Sequence, residues 1–322
     1  MSLPAEEIPV APELAPVDPA KPSRRGVWFL RGALAIGCAL IILGVALAVV
    51  RLAIPSALGL QAHLAVLSIP AVIIGAGGVC VGIGGFLFGW GGGAPLLPIG
   101  SHQSVIATTV LAMVVASLIA VGYLVMLPAG SSSMANVFGV AAVSFYGTLL
   151  AMVYLQGVRT GLVTRETLGL TRSQVLNGLA VGSAGAAIIL VLAAANGLVL
   201  QSLGVSQPQE ESFRWLQGRP PDQYVMAVFA VVILAPTVEE LFFRGYVFNA
   251  YLSHKGPMTA YLTTSVIFSL VHALPSLFIA IFGTALVLSY IYRRSGTIVA
   301  PILAHILNNA VAFVTLVAGS QQ

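Results

Sequence analysis

Two adjacent glutamates, Glu239 and Glu240, stand inside an apolar run long enough to cross a bilayer, and Arg244 follows four positions after the second. Two later apolar runs carry Phe268 with His272 and His305 with Asn309, each pair four residues apart. By insertion scales a charged side chain at mid-bilayer costs about 2.5–3.5 kcal/mol. A chain that keeps two carboxylates, a guanidinium and two imidazoles in such places holds them for chemistry or for an ion path. On a helix, Glu240 and Arg244 lie one turn apart and can pair, cancelling one charge of each sign. Glu239 is rotated by about 100° from Glu240, so it points to another face. The spacing thus assigns Glu240 and Arg244 to a structural ion pair and leaves Glu239 as the carboxylate available for chemistry. Pro236, just upstream, removes a backbone hydrogen bond and predicts a kink or an exposed carbonyl near the site.

Helical rise sets the depth of these groups. At 1.5 Å per residue, Glu239 lies about 20 Å from Leu252, His272 about 22 Å from Pro257 and His305 about 12 Å from Thr297, all within a hydrocarbon layer of about 30 Å. A carboxylate, two imidazoles and a carboxamide at one depth could activate water and hold an oxyanion.

Nine apolar stretches could supply the helices that position them: 28–53, 60–88, 104–128, 136–158, 175–200, 224–252, 257–274, 276–292 and 297–318. Apolar residues make up 58% of the 322-residue chain and charged residues only 7%, against about 25% charged in a soluble domain. With a mean hydropathy of +0.99, this predicts an all-α, polytopic membrane protein of about 8–9 transmembrane helices. Residues 1–25 form a Pro/Ala-rich tail with six prolines, read as disordered and unsuited to a signal peptide. Residues 26–200 read as accessory helices, 201–223 as an extracytoplasmic loop and 224–318 as the domain that carries the chemistry.

Loop charge fixes the orientation. Lys21, Arg24, Arg25 and Arg31 precede the first helix, while Arg159, Arg165, Arg172, Lys255, Arg293 and Arg294 fall in later loops on the same side when the N-terminus is cytoplasmic. Arg51 is the exception. The net charge of +4 is therefore a topology signal, and no nucleic-acid partner is read from it. Cys38 and Cys80 lie within apolar helices, where they act as small packing residues. The Gly75–Gly93 stretch lacks the preceding strand and following acid of a dinucleotide loop, and close helix packing explains it better.

Glu-Glu-x3-Arg, Phe-x3-His and His-x3-Asn on successive apolar helices resemble the CAAX protease and bacteriocin-processing (Abi) family of intramembrane endopeptidases, related to the type II CAAX prenyl endopeptidase. Glu239, Glu240, Arg244, Phe268, His272, His305 and Asn309 meet every signature position, over roughly residues 224–318. The resemblance implies proteolysis in a cavity open to the cytoplasm. Glu239 and His272 would activate water, and His305 with Asn309 would stabilise the oxyanion. Phe268 would be a packing wall or a substrate contact. The family is often described as metallopeptidase, and Glu239, His272 and His305 could supply a His2Glu zinc site. No local His-Glu-x2-His signature is present, so a metal-free glutamate mechanism is favoured, with zinc as the alternative cofactor. The expected partners are the lipid bilayer and a membrane-anchored protein or peptide substrate; the expected location is the plasma membrane.

Other classes use the same groups. A lone histidine in a membrane helix is commonly an interhelical hydrogen-bonding residue, which suits His63, and His102 and His254 lie at loops. Buried carboxylates and histidines also build proton relays in secondary transporters. The absence of a repeat between the two halves, and the confinement of the polar groups to three late helices, weigh against that reading. A catalytically idle membrane scaffold would be expected to have lost motif residues.

Overall fold

The computed structural model describes residues 101–126, 134–205, 216, 220–272 and 274–319, with six positions between 31 and 43. The Pro-rich tail, the helices expected over 28–53 and 60–88, both cysteines, the Gly75–Gly93 stretch and most of the 201–223 loop lie outside the described residues. Every regular element among the described residues is helical: α1 (His102–Met126), α2 (Met134–Met152), α3 (Arg165–Leu168), α4 (Arg172–Ser202), α5 (Pro221–Lys255), α6 (Pro257–Val271), α7 (Phe278–Ser295) and α8 (Val299–Gly319). Seven of these match the later seven of the nine expected stretches, and α3 is an addition.

Among the described residues, four helices are long and apolar enough to cross a membrane: Ala141–Val158, Arg165–Ser202, Pro221–Lys255 and Pro275–Ser295. Helical segments Gln103–Ala116, Pro257–Val271 and Val299–Thr315 are apolar but shorter. The 15 residues of α6 rise about 22 Å, because Pro257 opens the helix and the chain turns at His272. The expected total of eight to nine spans, and the cytoplasmic N-terminus, depend on residues outside those described.

The chain divides into two compact units between Thr148 and Leu149, and the frame and the site described below lie in the second. Its frame is α4 packed against α8 and α7, and α6 packed against α7. Small residues set the first of these seams. A Cβ on Gly182 would lie 2.6 Å from the carbonyl oxygen of Ala300, and one on Gly178 2.6 Å from Thr297 Cγ2. One on Gly185 would meet Ile291 of α7 at 2.7 Å. Gly178 and Gly182 thus let α8 approach the backbone of α4, and Gly185 makes room for α7.

The ends of the helices are pinned by polar contacts. Thr164 and Thr167 cap α3 reciprocally, and Gly169, in the left-handed region at φ +62°, closes it. Gly296 closes α7 in the same way at φ +68°, and a Cβ on Gly169 would collide with its carbonyl. Asn177 Nδ2 donates to the carbonyl of Ser295 at 3.1 Å, and Ile298 N–H donates to that of Leu168 at 2.9 Å. The α7–α8 turn, from which His305 is counted, is thereby fixed onto the start of α4.

Helix α5 is built differently. Its two π-helical stretches, Phe229–Leu234 and Leu241–Phe248, flank the α-helical turns Ala235–Glu240 that hold both glutamates. π-turns are rare and recur at functional sites, because each inserts a residue and redirects the side chains that follow.

Candidate active site

The two glutamates are buried side by side and serve different partners. Glu240 is wholly buried and accepts from Arg244 Nη1 at 2.8 Å within α5. The guanidinium is also wholly buried. Its Nη2 donates to the Ala285 carbonyl of α7 at 3.0 Å, and its carbon sits 4.7 Å over the Phe268 ring of α6. One arginine thus joins three helices, which is the arrangement a buried cation requires.

Glu240 has a second partner that helical spacing did not reveal. His305 Nδ1 lies 2.9 Å from the Glu240 Oε1 that also meets Arg244. An ionised carboxylate only accepts, so Nδ1 carries the proton and the ring turns Nε2 away from Glu240. Nε2 then stands 4.0 Å from Glu239 Oε2. His305 bridges the two glutamates, and Glu240 orients an imidazole as well as neutralising Arg244.

His272 reaches the same carboxylate oxygen from the other side, with Nε2 4.0 Å from Glu239 Oε2. Its Nδ1 meets the Phe268 carbonyl at 2.6 Å, and a carbonyl can only accept, so this proton too is fixed on Nδ1. Four-residue spacing within α6 makes that bond possible, since Phe268 lies one turn before His272. The Phe268 ring stands 4.6 Å from the His272 ring and 5.9 Å from the His305 ring. Only 2% exposed, it packs between the arginine and both imidazoles, which suits a wall better than a substrate contact.

Exposure grades across the cluster. The His272 side chain is 28% exposed, that of Glu239 10% and that of His305 7%, while Glu240 and Arg244 are sealed. Access to Glu239 therefore runs past His272.

Asn309 lies one turn beyond His305 on α8. Its Nδ2 donates to the Val231 carbonyl of α5 at 3.0 Å, and its Oδ1 accepts from Asn308 Nδ2 at 3.1 Å. The exposed carbonyl that Pro236 predicts is thus occupied by this side chain.

Below the ion pair, helix register places further polar groups. Arg244 meets Phe268 and Ala285, and one turn on Phe248 packs on Tyr261 and Tyr292, so α6 and α7 run antiparallel with Thr264 level with Ser289. Both are wholly buried, and their hydroxyls, with Arg244 Nε, bond to no protein group. The layer beneath the guanidinium is polar.

The fit to zinc can be tested on this geometry. Bonds of about 2.0–2.1 Å place donor atoms around a tetrahedral zinc about 3.3 Å apart. Glu239 Oε2 is 4.0 Å from both imidazole nitrogens, and among the described residues no group of three His, Cys, Asp or Glu side chains is placed to hold a metal ion. As they stand, these residues do not form a zinc site.

No curated protein and no solved structure matches the chain. The segment that holds the whole cluster, residues 221–311, matches the family model described as Type II CAAX prenyl endopeptidase Rce1-like, which agrees with the resemblance that the three motifs carry.

Proposed function

We propose that this membrane protein is an endopeptidase that cleaves a membrane-associated protein or peptide near its terminus, as in CAAX processing or the removal of a leader or sorting peptide. The carrying observation is that one oxygen of Glu239 stands 4.0 Å from the Nε2 atoms of both His272 and His305. That separation suits a single water lodged between them, each hydrogen bond being about 2.8 Å long.

The steps follow from where the protons are held. Glu239, ionised, takes a proton from the water as its oxygen attacks the scissile carbonyl carbon, and His272 Nε2 orients that water. The carbonyl oxygen becomes an oxyanion. For His305 to donate to it from Nε2 the ring must be an imidazolium, because Nδ1–H is already committed to Glu240. Asn309 contributes the Nδ2 hydrogen that does not face Val231. The C–N bond then breaks and Glu239 returns its proton to the leaving amine. No step passes through a metal.

Lys255 ends α5, and Arg293 and Arg294 end α7, at the end of the bundle expected to face the cytoplasm.

The test compares membrane-derived peptides by mass spectrometry from cells carrying the native protein or Glu239→Gln. Peptides trimmed only with the native protein, reproduced by purified protein in liposomes and surviving thorough chelation, are expected. Proton-coupled solute flux without any cleavage would overturn the proposal in favour of a transporter. Activity lost on chelation and restored by zinc would overturn the metal-free mechanism.

A further inference from the structure

A main-chain carbonyl inside a helix is ordinarily taken by a backbone N–H, yet that of Val231 receives the Asn309 side chain at 3.0 Å. Hydrogen-bond register explains why it is open. Where the π-helical stretch Phe229–Leu234 ends, Ala235 N–H bonds to the Ala230 carbonyl, five residues back. The next rung would run from residue 236 to Val231. Residue 236 is a proline and has no N–H.

We propose that Pro236 is a positioning residue for the reaction. By withholding the backbone donor it reserves the Val231 carbonyl for Asn309 and so sets the carboxamide beside His305. Both ends of that carboxamide are then held, Nδ2 by Val231 and Oδ1 by Asn308, and one Nδ2 hydrogen is left over at a fixed angle. An alanine at 236 would restore the N–H, close the rung and displace Asn309. A proline that merely bends the helix would show no such dependence on residue 309. The kinetic consequence rests on the oxyanion role proposed above for Asn309; the competition for the carbonyl does not.

Two measurements separate these layers. The first is NMR of the protein in detergent micelles, following the Asn309 carboxamide protons, assigned by their loss in Asn309→Ala. Pro236→Ala is expected to move the bonded proton toward its unbonded position. The Val231 carbonyl carbon, labelled in otherwise native protein, is expected to shift when Asn309 becomes alanine, a reading that does not require Pro236→Ala to fold. An unmoved carboxamide in folded Pro236→Ala, or an unmoved carbonyl carbon in Asn309→Ala, overturns the proposal.

The second is cleavage of a membrane-anchored peptide in liposomes. Pro236→Ala should lower kcat about tenfold with KM unchanged, tenfold being the rate equivalent of one hydrogen bond. It should lower kcat no further when Asn309 is already alanine. Losses that multiply in the double variant overturn the proposal. If the native protein cleaves nothing while the NMR shifts appear, the protease reading fails and the positioning of Asn309 by Pro236 stands.

Discussion

The two halves of α8 are held by opposite means. At its start, Val299 and Ala300 with Thr297 of the preceding turn lie on α4 through Gly178 and Gly182, where an added methyl would meet backbone or side-chain atoms at 2.6 Å. From His305 to Asn309 it is held to α5 by polar contacts, His305 to Glu240 at 2.9 Å and Asn309 to Val231 at 3.0 Å. The first half is positioned by the absence of side chains and the second by their chemistry. In a bilayer this division is economical. Hydrocarbon gives helices little hydrophobic reason to associate, so close packing of small residues supplies the frame, and polar bonds are concentrated where they also do work. The same contrast separates the glutamates. Glu240 is fully enclosed among Arg244 and His305, whereas Glu239 faces both imidazoles beside the most open side chain of the cluster.

The largest effect should come from breaking that second contrast. Glu239→Gln keeps the shape of the side chain but removes the base, and turnover should fall by about 10²–10⁴ with insertion and thermal stability preserved. A purified variant with near-native turnover would refute the role of Glu239. Arg244→Ala should act through folding instead. It leaves Glu240 buried beside His305 with no cation of its own, a loss of about 3–5 kcal/mol. Glu240→Gln combined with Arg244→Gln should recover much of the folded yield. Since Glu240 also orients His305, the double variant should nevertheless turn over slowly. Recovery of both yield and full activity would show that the His305 contact is immaterial.

What the sequence disclosed and what it hid divide along the same line. Contacts within one helix follow from spacing, so the Glu240–Arg244 pair and the bond from His272 to the Phe268 carbonyl lie between residues already known to share a face. The contact between Glu240 and His305 spans 65 positions, and no helical period reports it. Neither does any period report that Arg244 reaches Ala285. Composition and apolar run length made the helical class legible, and seven of the expected stretches recur with ends moved by a few residues. The π-turns of α5 are not legible, because the run reads as ordinary helix. Helix α4 also went unrecognised as part of the frame: its glycines match α8 only in three dimensions.

A smaller effect tests the polar half of α8 alone. Asn309→Ala should slow turnover by about 10²–10³ with little change in substrate affinity, the usual consequence of losing one oxyanion donor. A rise in KM at constant kcat would instead assign Asn309 to binding. Either outcome should leave α8 seated on α4, because the contacts at Gly178 and Gly182 are two to three turns away and share no atom with the carboxamide.

The smallest effect belongs to the glycine seam, and a control within the chain isolates it. Gly182→Ala pushes a methyl toward the Ala300 carbonyl, and overpacking of this kind costs about 1–3 kcal/mol. Gly147, also helical, has no heavy atom within 4 Å of its added methyl, so Gly147→Ala should be neutral or stabilise by up to about 1 kcal/mol through helix propensity. Thermal unfolding in one detergent compares the two directly. Equal behaviour would remove the close approach of α4 and α8 as the device that seats the helix of His305 and Asn309. If Gly182→Ala unfolds earlier, its activity per folded molecule decides whether the two halves of α8 are independent. Unchanged activity means that strain at Ala300 is absorbed before it reaches His305, five residues on. Lowered activity means that the seam sets the depth of His305 as well as the stability of the bundle.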